Sequence, residues 1–356
     1  MQTETTEKHR AMAKIIRQLL SLVTGLFILV MVLLIYILFL PDSTSILTKK
    51  QSTSTKAITA KSATPPPPVE KFWTAPDTST LQNHPDKEKI AYGRKLIAQT
   101  AIYLGPKGIV KKNATNGMNC QNCHLDAGTK VFGNNYGSVF STYPKYRARS
   151  GGIENIYKRI NDCIERSLNG TPLDSNSKEM QAIAAYINWI GKDVPKGEKA
   201  KGSGFKDIAF LDRPADPAKG KEVYAINCKS CHMETGQGVL NDDQTAYTYP
   251  PLWGDNSYND GAGLFRLSSF AKYIRYNMPL GVSHVYAILT DEEAWDIAAY
   301  VNSQPRPKKN ISNDWPNIAE KPFDHPYGPF ATGFDEQQHK YGPYGPIKEK
   351  LEVLKK

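Results

Sequence analysis

Cysteine is scarce in this chain, five residues among 356. Four of them are spent in two copies of one short string, Cys120-Gln121-Asn122-Cys123-His124 and Cys228-Lys229-Ser230-Cys231-His232, which leaves Cys163 with no partner for an intramolecular disulfide. The shortage argues against a zinc site, which would need two further ligands at matching spacing. It also argues against a redox dithiol, which has no need of a histidine directly after it. The string suits covalent attachment of haem c: two thiols form thioethers to the porphyrin vinyl groups, and the adjacent imidazole reaches the iron. The chain reads as carrying two haem c groups, bound through Cys120, Cys123, Cys228 and Cys231, with His124 and His232 as proximal iron ligands.

A signal-peptidase site is also missing. Leu19 to Leu40 is an apolar run of 22 residues without a charge, about 33 Å as a helix and long enough to cross a bilayer. It ends in Pro41-Asp42-Ser43-Thr44 rather than an A-x-A-like string, so the run reads as an uncleaved anchor. Lys8, Arg10, Lys14 and Arg17 precede it, and Lys49, Lys50 and Lys56 follow. Haem attachment outside the cytoplasm then sets the orientation: residues 1–18 in the cytoplasm, 19–40 in the inner membrane, the rest on the periplasmic side of a bacterial cell. Residues 41–70 are Ser, Thr, Lys and Ala closing on Pro65-Pro66-Pro67-Pro68, a composition that buries no core and reads as a tether. The net charge is +10. Part of it lies in the anchor and tether, and haem propionates would offset much of the remainder, so nucleic acid is not indicated as a partner.

The remainder shows an internal repeat. Helical stretches, Asp86 to Leu104 and Pro217 to Asn227, precede the two haem strings. After each string comes a near-identical segment, Ile183-Ala184-Ala185-Tyr186-Ile187-Asn188 and Ile297-Ala298-Ala299-Tyr300-Val301-Asn302. Small and aromatic residues at helical spacing suit two helices crossing closely. The expected fold is all-α, with two cytochrome c-like domains, each with one covalent haem, over 71–200 and 201–305. An extended C-terminal tail, 306–356, follows.

Methionine is as scarce as cysteine where a sixth ligand is needed. After the second string stand only Met233, too close to reach the far face of the haem, and Met278 in Tyr276-Asn277-Met278-Pro279. Met278 reads as the distal iron ligand of the second haem, with the proline restricting the backbone beside it. The first domain has no Met-Pro. Its corresponding region, Asn155 to Gly170, reads as a helix ending at Asn169-Gly170, with Arg159, Cys163 and Ser167 on one face at i, i+4 and i+8. Cys163 stands where a distal ligand would, and a neighbouring guanidinium favours a thiolate there. Two other readings stay open: Cys163 as a small buried hydrophobe, and Met180 as the true ligand. Upstream, Tyr143-Pro144-Lys145-Tyr146-Arg147-Ala148-Arg149-Ser150 supplies Arg147 and Arg149, which with Arg159 and Arg166 would surround the haem with charge suited to multi-oxygen anions or to propionates.

From about Tyr92-Gly93-Arg94 to Pro346 the chain resembles the dihaem thiosulfate dehydrogenases, also called tetrathionate reductases. The strings that carry the resemblance are Arg159-Ile160-Asn161-Asp162-Cys163, Arg166-Ser167-Leu168-Asn169-Gly170, Asn277-Met278-Pro279, Pro326-Tyr327-Gly328-Pro329-Phe330 and Gln338-His339-Lys340-Tyr341-Gly342-Pro343. The resemblance implies a His/Cys haem at the active site, with Cys163, Arg147, Arg149, Arg159 and Ser167 around it. It also implies a second, electron-transfer haem, and interconversion of two thiosulfates with tetrathionate and two electrons. Some members carry lysine before the distal methionine and exchange ligands; here that residue is Asn277. A small c-type cytochrome or other periplasmic redox protein is the expected partner. Two other classes compete: a membrane-tethered dihaem electron carrier, which would want methionine at both distal positions, and a sulfur-oxidation cytochrome acting on a protein-bound cysteine.

Overall fold

The computed structural model describes residues 2–38 and 71–354; the expected tether, 41–70, and the last two residues of the expected span lie outside the described residues. The chain divides into two compact units, Met1–Pro68 and Val69–Lys356. In the first, helix α1 runs Gln2–Leu38, and its stretch Lys14–Tyr36 is long and apolar enough to cross a membrane, with none of it buried.

The second unit is built on a duplicated helix crossing. Helix α2, Lys87–Ala98, carries Glu88 in its first turn and Lys95 in its last, each matching the local end of the helix dipole. A single turn, Thr100–Leu104, then leads into the first haem string. Helix α3 covers Ile156–Arg166, and helix α4, Lys178–Ile190, starts where the Ser177 hydroxyl accepts from the Met180 amide. The second copy opens with α5, Pro217–Asn227, begun by an Asp216 cap and a proline at the first position. It continues with α6, Leu267–Asn277, and closes with α7, Asp291–Ser303, started by a Thr290–Glu293 capping box.

Helix α2 packs on α4, and α5 on α7. Glycine makes both crossings possible: a Cβ at Gly93 would lie 1.9 Å from the Ala182 carbonyl oxygen, and one at Gly220 would lie 1.9 Å from that of Asp296. In both cases the nearest atom beyond that carbonyl is the Cβ of the repeated tyrosine, Tyr186 or Tyr300. Around the first crossing Leu96, Ile97, Met180, Ile183 and Ile187 form one core. Around the second, Phe270, Ile274, Trp295, Ile297 and Val301 form another.

The all-α reading holds, with two short antiparallel ribbons among the described residues. In the first, β1 (Lys145–Arg147) pairs with β2 (Gly152–Glu154); in the second, β3 (Val239–Leu240) pairs with β4 (Tyr247–Tyr249). The C-terminal segment differs from a plain extended tail. It ends in two helices, α8 (Glu336–Tyr341) and α9 (Gly345–Leu354), and Tyr344, Ile347 and Leu351 enter the second core. Isolated apolar residues on a ten-residue helix carry little signal by themselves; burial against the second domain is what folds it.

The two cores meet directly at the first haem string. Cys123 and Leu125 pack against the second core, and the Tyr273 hydroxyl donates to the Asn122 carbonyl at 2.7 Å. Asn116 donates to the Ser257 carbonyl at 3.0 Å, and Asn259 to the Glu165 carbonyl at 2.8 Å. The glycine crossing gives the first test: Gly220→Ala should destabilise the protein by about 1–3 kcal/mol, because the added methyl group pushes α5 off α7. A lowered urea midpoint by circular dichroism is expected; an unchanged midpoint would mean that the crossing has room for a methyl group.

Candidate active site

In the first domain a cavity of about 210 Å³ lies over the haem string, with Cys120, His124, Arg147, Arg159 and Cys163 among its walls. The His124 Nδ1 sits 2.6 Å from the Asn134 carbonyl oxygen, which can only accept, so Nδ1 carries the proton and Nε2 is the atom left for a metal. Tyr136 stacks on the imidazole with ring centroids 4.4 Å apart. Burial pushes the His124 pKa down to about 4, so the ring is neutral at pH 7, as a metal ligand must be. Burial likewise pushes the Cys120 and Cys123 thiols up, to about 11 and 12. None of the five cysteines forms a disulfide. Paired free thiols beside an imidazole fixed through its other nitrogen, under an apolar-walled cavity, fit haem c.

Helix α3 sets the opposite wall. It starts at an Asn155 cap whose side chain accepts from the Lys158 amide at 2.9 Å. It turns Arg159 and Cys163, one helical turn apart, to the cavity together with Ile156, Ile160 and Ile164. Arg159 is half-buried and lines the cavity, and Cys163 beside it raises its pKa against the opposing effect of burial. The β1–β2 ribbon supplies the third side. Residues two apart on a strand share a face, so Lys145 and Arg147 both line the cavity while Tyr146 points out, 49% exposed. The buried Glu154 carboxylate lies 3.9 Å from the Arg147 Nε and takes a hydrogen bond from Ser150.

Arg149 and Ser167, expected around the same haem, do not enter the cavity wall. The strand ends at Arg147, whose carbonyl accepts from the Ser150 and Gly151 amides, and Gly151 turns the chain at φ +64°. Arg149 therefore departs from the face that two-residue alternation would give it. Its guanidinium stacks 5.6 Å from Trp315 and lies 4.0 Å from Asp314, the residue that Arg166 grips with two bonds of 2.8 Å. Arg149 remains electrostatically close to Arg159; burial, then the charges of Arg166 and Arg159, push its pKa down to about 10. Ser167 keeps helical dihedrals at the end of α3, its amide donating to the Cys163 carbonyl at 2.8 Å, but it lies one turn beyond Cys163 and outside the cavity wall. Met180 is fully buried in the first core and is not a cavity residue. Lys145 and Tyr143 belong to the cavity and were missed as candidates; alternation along Tyr143-Pro144-Lys145-Tyr146-Arg147 was the available signal.

In the second domain the His232 Nδ1 lies 2.8 Å from the Pro250 carbonyl oxygen, repeating the first arrangement. Met278 caps α6, its amide donating to the Ile274 carbonyl at 3.0 Å, and packs half-buried on the second core. Asn277 is buried at 1% exposure and donates to the carbonyls of Phe132 (3.1 Å) and Tyr273 (3.2 Å), so its side chain faces the first domain.

Two helix-crossed domains that each present such a string define a c-type cytochrome. Residues 109–195 match the SoxA/TsdA cytochrome c domain family, and residues 217–305 match the cytochrome c family. The chain is 40% identical over 245 residues to a thiosulfate dehydrogenase of Psychrobacter arcticus, covering 68% of this chain and 71% of that one. It is 35% identical over 238 residues to a thiosulfate dehydrogenase of Allochromatium vinosum, covering 66% and 84%. A solved structure, thiosulfate dehydrogenase (TsdBA) from Marichromatium purpuratum, superposes with a TM-score of 0.61 at 30% identity; the match covers 67% of this chain and half of that one. The chain belongs to the dihaem thiosulfate dehydrogenases, enzymes of the cytochrome c type.

Proposed function

We propose that this protein interconverts two thiosulfates with tetrathionate and two electrons at the first-domain cavity, and that Cys163 is both the distal ligand of the first haem and the sulfur nucleophile. The observation that carries this is the convergence of Cys163, Arg159, Arg147 and Lys145 on one cavity above His124. Two haem c groups are assigned, the first ligated by His124 and Cys163 and the second by His232 and Met278. When bound, each takes up one electron, and thioether ligation favours a higher potential at the second than thiolate gives at the first.

The charge arrangement suits the reaction. At an effective dielectric of about 20, two unit charges about 6 Å apart repel by about 3 kcal/mol, and two dianions by about four times that. A charge-assisted hydrogen bond returns about 1.5–3 kcal/mol, so several fixed cations are needed. Lys145, Arg147 and Arg159 supply three, with Arg149 adding field from behind. The Cys163 thiolate sulfur bonds to the outer sulfur of one thiosulfate as two electrons leave, giving a cysteine S-thiosulfonate. A second thiosulfate attacks that same sulfur, its bond to Cys163 breaks, and tetrathionate departs with the thiolate restored. No proton is consumed. We further place the enzyme on the periplasmic side of a bacterial inner membrane, held by an uncleaved α1, with a small c-type cytochrome or similar periplasmic protein exchanging electrons at the second haem.

Spectroscopy, activity assays, electrochemistry and fractionation test this reading. Low-spin thiolate signals in the ferric EPR spectrum should vanish in Cys163→Gly along with turnover, while Arg159→Ala should keep both haems and lose at least tenfold in activity; thiolate signals that persist without Cys163 would end the ligand assignment. With Asn277 in place of lysine, Met278 should ligate in both redox states. One protein film should then give catalytic current of both signs, tetrathionate reduction being at least comparable to thiosulfate oxidation; a one-way current would count against it. Mature protein should fractionate with membranes and yield peptides from residues 1–18 by mass spectrometry; a soluble form beginning near the tether would remove the anchor.

A further inference from the structure

Met278 is followed by an irregular loop, residues 279–289, that buries little of itself. No part of it is helix or strand, and Leu280, Val285 and Tyr286 are 72%, 84% and 68% exposed. A loop with so few buried contacts opens locally at low cost, and an iron ligand at its edge is released when it does. What holds its middle comes from elsewhere in the chain. The His284 ring forms a triangle with two phenylalanines: its centroid lies 5.1 Å from that of Phe72 and 5.1 Å from that of Phe132, and those two rings meet at 5.3 Å, all three pairs edge to face. Neither phenylalanine is part of the two cores. Both are hung instead on the link between the domains. The Phe132 amide donates to the Gly202 carbonyl at 2.8 Å, and the Trp73 amide, next to Phe72, donates to that of Lys201 at 3.0 Å.

The loop backbone is gripped at the same place. The Lys130 ammonium donates to the Val282 carbonyl at 3.0 Å, and that of Lys206 to the His284 carbonyl at 3.3 Å. On the other side of Met278, Asn277 donates to the Phe132 carbonyl at 3.1 Å. Met278 is thus flanked before and after by contacts to one first-domain segment, residues 130–132, two residues ahead of the Asn134 carbonyl that orients His124. We infer that Phe72, Phe132 and His284, with Lys130, form a clamp that holds this loop closed and so keeps the Met278 thioether seated as distal ligand of the second haem. They are positioning residues that act through Met278. The inference rests on the ligand assignment given above. Two edge-to-face contacts converge on His284, so loss of that one ring frees the middle of the loop while α6, which presents Met278, keeps its own packing.

The test titrates oxidised, full-length holoenzyme with imidazole, which competes for the sixth position of a ferric haem. The thioether-to-iron charge-transfer band reports on the second haem, and the thiolate EPR signal on the first. His284→Ala should let imidazole displace Met278 at a concentration about ten- to hundredfold lower, with the first-haem signal unchanged. His284→Phe keeps a ring in the triangle and should return most of that loss. Phe132→Leu should behave as His284→Ala does, and Lys130→Met should lower the concentration by about threefold or more. An imidazole requirement within about twofold of wild type in both His284→Ala and Phe132→Leu overturns the clamp. So does a change that His284→Phe fails to restore and that accompanies a fall in the urea midpoint, since that is lost packing alone. If the wild type shows the thioether band and its variants titrate alike, only the clamp fails. If the wild type shows no such band, the Met278 assignment beneath it fails as well.

Discussion

The close approach of two helices at a glycine, used twice, is what the rest of the molecule hangs on. Gly93 lets α2 settle against the backbone at Ala182, and Gly220 lets α5 settle against the backbone at Asp296. Each crossing holds the start of a haem string at a fixed height against a closing helix, and each buries its apolar face at the contact. That fixes where the two imidazoles stand, and both are then oriented by a backbone carbonyl on a loop, Asn134 or Pro250. A side-chain partner would allow more freedom of rotation. A carbonyl held by its own chain leaves the ring one orientation and one nitrogen for the metal.

On that frame the two domains diverge by what faces the string. The second offers a thioether at the end of α6, held by helix geometry. The first offers a thiol one helical turn from an arginine and, across the cavity, a ribbon carrying two more cations. Such a concentration of positive charge is costly without anions, and the C-terminal segment relieves part of it: Asp314 binds Arg166 and lies near Arg149, while the Trp315 amide donates to the Arg149 carbonyl at 2.7 Å. The same segment packs α9 into the second core, so it ties the charge balance of one domain to the packing of the other. The arginines nearest the cavity, Arg147 and Arg159, are left with far less compensation, the condition under which an incoming dianion is attracted.

The direct seam between the domains serves electron transfer in the proposed reaction. Cys123 packs on the second core, and α6, which ends in Met278, touches the first string through Tyr273 and the first-domain loop through Asn277. The haem string of the first domain is itself the neighbour of the second core.

Much of this was legible in the chain itself. The haem strings, the helices before them, the repeated Ile-Ala-Ala-Tyr segments and the shared face of Arg159 and Cys163 are all local. They follow from covalent chemistry, capping residues and a 3.6-residue period, which act over a few residues and do not depend on distant parts of the chain. Which side chains share a cavity depends on where the chain turns and what packs behind it. The turn at Ser150-Gly151 sends Arg149 away from Arg147, Asp314 lies beside it from more than 150 positions away, and Ser167, though still helical, falls outside the cavity wall. Those outcomes are set by contacts between residues far apart in sequence, and no local pattern encodes them.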